Sequence, residues 1–366
     1  MKIIGIDGNE ANVDKKVGVS FYTLNLLRWF NKFANKNIAF KVFLKEPPKP
    51  DLPKSNNFFK YQIVKGNFLW TQIFLPINLY KSKDINLFFS PAHYLPRFCP
   101  VTSVVTIHDL SFLYFPNDFL KKDLYQLKSW TKYSVKKANK IIAVSKTTKK
   151  DIIKSYQVNE DKITVIYNGY EKISDKKIKK FENKNTNKPY ILYVGTIQPR
   201  KNLHNLILAF SKFKHLYPKY QLIIAGKKGW LYKNIFNKVL DLGLEDSVFF
   251  TDYISENQLI FLYKNAFCLV MPSLYEGFGI PILEAMNFNC PVISSYASSL
   301  PEIAGGAALY FDPNNYLDLV EKLKILSEDN KLKSALIKKG KQRIKEFSWK
   351  KTAQQTLDLL IKTIKE

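Results

Sequence analysis

At 366 residues, 46% of them apolar, the chain exceeds what one hydrophobic core usually serves and carries material for two. Its formal charge of +26 invites a nucleic-acid partner, yet only Arg28, Arg97, Arg200 and Arg343 among its 57 basic residues are arginine. Nucleic-acid readers lean on arginine for bidentate contacts to phosphate and guanine, so that class is excluded and an anionic membrane surface remains as the charge-based partner.

The opening MKIIGIDGNEAN reaches Asp7 after an apolar run too brief for a signal segment, and no later stretch offers about 18 uninterrupted apolar residues, so a cytoplasmic protein is expected. Short runs rich in β-branched and aromatic residues predict strands at 2–6, 40–44, 85–89, 103–107, 140–144 and 162–166, with amphipathic segments between them. Within this half, residues 119–140 interleave Lys121, Lys122, Lys128, Lys132, Lys136, Lys137 and Lys140 with apolar side chains on a predicted helix, and FLWTQIFLPINLY (68–80) adds apolar surface. Residues 171–188 are polar and lysine-rich and read as a linker. The alternation then restarts, with strands predicted at 190–194, 221–225, 247–250, 267–271 and 291–294, and FSWKKTAQQTLDLLIKTIKE closes the chain as one long helix. The expected organisation is an N-terminal domain over 1–172, a linker over 173–188, a C-terminal domain over 189–346 and a closing helix over 347–366. Cys99, Cys268 and Cys290 are widely spaced in apolar surroundings and read as reduced core thiols.

In doubly wound sheets, ligands bind beyond the carboxyl ends of the strands, and the chemistry-bearing residues fall there. SLYEGFGIPILEA (273–285) follows a strand and sets Glu276 and Glu284 around Gly277-Phe278-Gly279, with a helix expected from Pro281 and Glu284 in its first turn. Such a helix start is an anion site, and ionised glutamates accept hydrogen bonds from sugar or ribose hydroxyls. GTIQPRKN (195–202) brings Arg200 and Lys201, a planar fork and a point charge suited to phosphate. No Asp-x-Asp and no His or Cys ligand cluster occurs, so a metal-independent site is expected. TIHDLSF places His108 and Asp109 at a strand end, and Gly18 stands before the first helix, where a diphosphate has room.

Taken together, Gly18, TIHDLSFLYFP, IIAVSKTTKKDII, VIYNG, YVGTIQPRKN, LIIAGKKG and PSLYEGFGIPILEA followed by PVISSYASSLPEIAGGAALYFDP resemble the retaining, nucleotide-sugar-dependent glycosyltransferases of GT-B fold (family 4 type) that include bacterial mannosyltransferases. The resemblance spans nearly the whole chain. It implies an α/β fold of two Rossmann-like, doubly wound domains facing a cleft, acceptor in the N-terminal domain and donor in the C-terminal one, with the last helix packing back on the N-terminal domain. It also implies roles: Glu276 on the donor sugar's hydroxyls; Phe278, Gly279 and Ile280 offering backbone N–H groups; Glu284 on the ribose; Arg200 and Lys201 on the diphosphate; His108 near the reacting carbon; Gly18 beside the phosphates. Many relatives carry arginine where this chain has Thr196, which shifts diphosphate binding toward Arg200 or the Thr196 hydroxyl.

The expected activity is therefore transfer of a hexose, mannose first, from a GDP- or UDP-linked donor to a saccharide or lipid-linked acceptor in surface-polysaccharide synthesis. No cofactor, metal or nucleic-acid partner is expected, and the protein would sit peripherally on the inner membrane face. The alternatives are another enzyme of the same fold, such as a sugar phosphorylase or nucleotide-sugar epimerase, or a non-catalytic polyanion binder.

Overall fold

The computed structural model describes residues 1–170, 188–229 and 232–365, so residues 171–187 of the expected linker lie outside the described residues. The chain forms two compact units.

The first unit comprises Met1–Leu113, Lys121–Gly169 and Phe347–Glu366. Its strands are β1 (Lys2–Asp7), β2 (Ile38–Leu44), β3 (Phe59–Ile63), β4 (Leu87–Ser90), β5 (Thr102–Ile107), β6 (Lys140–Ala143) and β7 (Ile163–Val165). They pair in parallel in the order β3-β2-β1-β4-β5-β6-β7, so the order reverses between β1 and β4. The central strands are apolar because helices cover both faces, whereas β3, FKYQI, is an edge strand with two of its five side chains exposed and no continuous apolar run to betray it. Helices α1 (Gly18–Phe33), α2 (Phe74–Lys81), α3 (Ser111–Tyr114), α4 (Lys121–Lys137) and α5 (Lys146–Tyr156) connect the strands. Helix α4 stops at Lys137, so of the overlapping expectations for Lys140 the strand at 140–144 holds: Lys140 opens β6.

The closing helix, α13 (Trp349–Lys365), packs on α1. Its Trp349, Ala353, Leu357 and Leu360 join Leu24, Leu27 and Phe30 of α1 in one buried cluster. Full burial of each large side chain stabilises by about 1.5–3 kcal/mol, so the last 20 or so residues belong energetically to the N-terminal core, as expected.

The second unit comprises Tyr114–Leu120 and Tyr170–Glu346. Its strands are β8 (Tyr190–Val194), β9 (Gln221–Ala225), β10 (Val248–Phe250), β11 (Cys268–Met271), β12 (Val292–Ser295) and β13 (Ala308–Phe311). They are parallel in the order β10-β9-β8-β11-β12-β13, with the reversal between β8 and β11. Helices α6 (Leu203–Leu216), α7 (Lys233–Asp241), α8 (Glu256–Asn265), α9 (Ile280–Asn287), α10 (Leu300–Ala304), α11 (Tyr316–Glu328) and α12 (Asn330–Arg343) complete it. The chain diverges after β8 and β11, opening the crevice in which ligands of such sheets bind. Cys268 and Cys290 are buried and Cys99 partly so, all as free thiols. Among the described residues no helix is long and apolar enough to cross a membrane.

Candidate functional site

The loops after β8 and β11 meet at this reversal point, and three charged side chains come together there. Arg200 and Lys201 occupy a 3-10 turn, Pro199–Lys201, whose end is fixed by Asn202 at φ 58°. The Asn202 side chain donates to the carbonyls of Pro272 (3.1 Å) and Pro313 (2.7 Å), lacing the β8 loop to the chain beyond β11 and β13. Asn202 is the last residue of GTIQPRKN, a position to which composition and spacing attach no role. An asparagine ending a Pro-x-x-Asn turn was the available signal, because asparagine tolerates the left-handed region.

Glu276 forms a salt bridge with Lys201, and its other oxygen lies 3.8 Å from Arg200 Nη1. Only 12% of the Glu276 and Lys201 side chains and 14% of that of Arg200 are exposed, so the triad is nearly desolvated and its mutual attraction little screened. The Ser273 hydroxyl donates to Glu276 Oε1 at 2.8 Å, and the Ser298 and Ser299 hydroxyls donate to the Glu276 carbonyl at 2.6 and 2.8 Å. Burial alone would push the Glu276 carboxyl up, but Lys201, Arg200 and the hydrogen bonds from Lys201 and Ser273 outweigh it and hold the group below the usual carboxylate range. It is ionised at neutral pH.

Arg200 is held throughout. Its N–H donates to Asp118 Oδ2 (3.0 Å), its carbonyl accepts from Leu274 N (2.9 Å), and its Nη1 donates to the Tyr275 carbonyl (3.1 Å). With the Gln198 amide oxygen turned toward it, Nε and Nη2 donate at 3.1 and 2.9 Å. Behind the turn, Gly226 closes on the β8 loop: a Cβ there would lie 2.0 Å from the Gly195 carbonyl oxygen. The methyl of Thr196 faces Gly229, which has no side chain to meet it.

Helix α9 begins at Ile280, one residue before the expected Pro281, with Gly279 as its cap at φ 103°, a conformation that only glycine adopts cheaply. Of the two glycines flanking Phe278, only Gly279 needs this freedom. The shift places Glu284 in the second turn, not the first, because the helix's first turn is Ile280–Leu283. There its Oε2 accepts from the Tyr263 hydroxyl at 2.7 Å, and burial raises its carboxyl despite that bond. Glu284 thus does not join the triad's ion pairs, and its partner Tyr263 carried no sequence signal because it reaches in from α8.

In the first unit, His108 follows β5 and is buried, 8% exposed. Its Nε2 lies 2.8 Å from the Pro91 carbonyl, which only accepts, so Nε2 carries the proton and Nδ1 is the acceptor of the neutral ring. Burial and the neighbouring His93 push its pKa down to about 3, against the Pro91 bond and Asp109, so His108 stays neutral at physiological pH. Its ring stands edge-on to Tyr22 of α1 at 4.7 Å. Asp109 Oδ1 accepts from Ser111 N (2.9 Å) and Oγ (2.7 Å) at the start of α3. Gly18 is the first residue of α1, not the residue before it, and a Cβ there would meet nothing within 4 Å.

Two parallel doubly wound sheets, the second with its charged triad at the reversal point, are the fold of the GT-B class of glycosyltransferase. The chain belongs to that family, matching Glycosyltransferase Family 4 over residues 18–172 and Glycosyl transferases group 1 over residues 174–343. It is 38% identical over 212 residues to the O-antigen chain mannosyltransferase RfbU of Salmonella typhimurium, covering 58% of this chain and 57% of that protein. It is 29% identical over 289 residues to the O-antigen chain mannosyltransferase B of Escherichia coli, covering 74% and 73%. The chain thus spans under two thirds of the Salmonella relative's length. In fold it is similar to Anabaena HepE, solved in complex with UDP-glucose, at a TM-score of 0.73 and 17% identity over 99% of this chain and 100% of that one.

Proposed function

We propose that the protein is a retaining hexosyltransferase that moves mannose from a nucleoside diphosphate sugar, GDP-linked first and UDP-linked second, to a saccharide or lipid-linked saccharide of a surface polysaccharide. The observation that carries this reading is the buried Arg200–Lys201–Glu276 triad beside the start of α9. Two cations and the N-terminal end of a helix suit a diphosphate, and an obligatorily ionised carboxylate suits sugar hydroxyls. Breaking the bond from the anomeric carbon to the diphosphate builds positive charge on the sugar and negative charge on the leaving group, and preorganised cations lower that barrier. On this reading Arg200 and Lys201 take the metal's place, Glu276 orients the sugar and Glu284 the ribose. Phe278, Gly279 and Ile280 offer backbone N–H groups. His108, being neutral, contributes as a hydrogen-bond acceptor near the reacting carbon and not as a proton carrier. The leaving phosphate then takes the acceptor's proton on the same face. The mannosyltransferase names of both O-antigen relatives support mannose.

The same reading puts the acceptor in the N-terminal unit and at a membrane surface. Phe68, Phe98 and Tyr125 are 74%, 76% and 73% exposed, and Lys121, Lys122, Lys128 and Lys132 are exposed on α4. Hydrogen bonds join these parts: Arg97 N donates to Gln72 Oε1 at 3.1 Å and Phe98 N to Tyr133 Oη at 3.1 Å. Aromatic side chains in solvent beside lysines suit an anionic bilayer.

The test is a calorimetric panel of GDP, UDP and their sugars, followed by transfer assays with the selected donor in excess EDTA. Selective binding of one nucleotide and undiminished transfer in EDTA are expected. Binding of none, or activity lost to EDTA and restored by Mg2+ or Mn2+, would overturn the reading.

A further inference from the structure

Seven residues of the chain's first third, Tyr114–Leu120, group with the second unit, whereas Leu113 before them and Lys121 after them belong to the first. This strap reaches Arg200 twice, directly at its backbone and indirectly through Tyr275. Asp118, 7% exposed at the end of the short 3-10 turn Pro116–Asp118, accepts the Arg200 N–H through Oδ2 at 3.0 Å. Tyr114 stacks on Tyr275 with ring centroids 5.2 Å apart and planes at 27°, and Phe115 lies 6.4 Å from the same ring. Tyr275 in turn supplies the carbonyl that accepts from Arg200 Nη1 at 3.1 Å. The strap therefore fixes the backbone of Arg200 directly and its guanidinium through Tyr275.

We propose that Asp118 is a positioning residue: it holds the Pro199–Lys201 turn in the geometry that presents Arg200 and Lys201 to the diphosphate. This rests on the proposed diphosphate role of the two cations. A carboxylate is suited to the task, since a charge-assisted hydrogen bond to a backbone N–H is stronger than one to a neutral acceptor, and with Glu276 it sets a second carboxylate beside the two cations.

The experiment compares wild type with Asp118→Ala and Asp118→Asn by calorimetric titration of the nucleoside diphosphate and the corresponding monophosphate, and by hydrogen exchange of the peptide spanning 196–202. In Asp118→Ala the diphosphate should bind about tenfold more weakly, the size of one charge-assisted hydrogen bond, with the monophosphate changed less than about twofold. Exchange at the Arg200 amide should accelerate. Asparagine keeps an acceptor oxygen and should restore most of the affinity. If the alanine variant does not fold, the asparagine variant carries the same comparison at about threefold. Equal weakening of both nucleotides, or unchanged exchange at Arg200, overturns the inference. A wild-type protein that binds no nucleotide defeats the proposed function instead, and the exchange measurement still decides whether Asp118 holds the turn.

Discussion

Replacing Lys201 with alanine should make the stability of the second unit fall as pH rises, in contrast to wild type. In the native protein the folded Glu276 carboxyl sits below its ordinary value of 4.5, so its contribution is fully present above that value and is lost only as pH falls through the lowered one. Removing Lys201 deletes the charge that most strongly opposes burial, and leaves Arg200 at 3.8 Å and the Ser273 hydroxyl at 2.8 Å. Burial is the largest influence on this group and Lys201 the largest one against it, so in the variant the carboxyl is expected to rise. A group raised in the folded state costs stability as pH climbs past its unfolded value, so the variant's deficit opens between acid and neutral pH. Losing one partner of a buried pair costs about 3–5 kcal/mol, and the remaining Arg200 contact reduces this to about 2–4 kcal/mol at neutral pH. For a unit of this size that corresponds to a melting transition lower by about 6–12 °C at pH 7.5, with most of the difference gone near pH 4. Differential scanning calorimetry of both proteins at several pH values, following the transition that Glu276→Gln also moves, measures it. A deficit equal at every pH would mean that Lys201 contributes packing and not charge, and would refute the account of the triad.

Gly18→Ala should leave the fold intact or stabilise it by up to about 1 kcal/mol, since a Cβ there meets nothing within 4 Å and alanine favours helix, yet transfer should drop at least about tenfold. Wild-type turnover by this variant would remove Gly18 from the donor site. Burial pushes the pKa of Asp7 up to about 7, so the wild type loses stability as pH rises from the ordinary 3.8 through that value. Asp7→Asn should therefore melt several degrees higher than wild type at pH 8 and the same near pH 4; a pH-independent difference contradicts the assignment. Cosedimentation with anionic but not neutral vesicles is expected, reversed by high salt and weakened by glutamine at Lys121, Lys122, Lys128 and Lys132, each lysine contributing about 1 kcal/mol near such a surface. Equal partitioning to both vesicle types would leave the lysines without a membrane role.

By itself the sequence determined every strand of the two sheets except β3 and β13, because a strand buried on two faces must be a short apolar run, and 190–194 and 221–225 in particular match β8 and β9 residue for residue. It also located Arg200, Lys201 and Glu276, since charged residues just past such runs have few places to go except the carboxyl edge of the sheet. It did not reveal β3, whose edge position lets polar side chains into the strand, nor the true start of α9, which the left-handed Gly279 sets one residue earlier than Pro281 suggests. The direction in which each carboxyl shifts was also beyond it. Glu276 and Glu284 stand in one motif, yet two cations hold the first below the usual range and burial beside a tyrosine raises the second. The partners that decide this, Lys201 at a separation of 75 residues and Tyr263 at 21, and likewise Asp118 for Arg200 at 82, come from other elements. A local pattern records which face a residue takes, because that depends on its neighbours in the chain; it cannot record which distant charge it meets, because that depends on the order in which parallel strands assemble, and only the folded sheet sets that order.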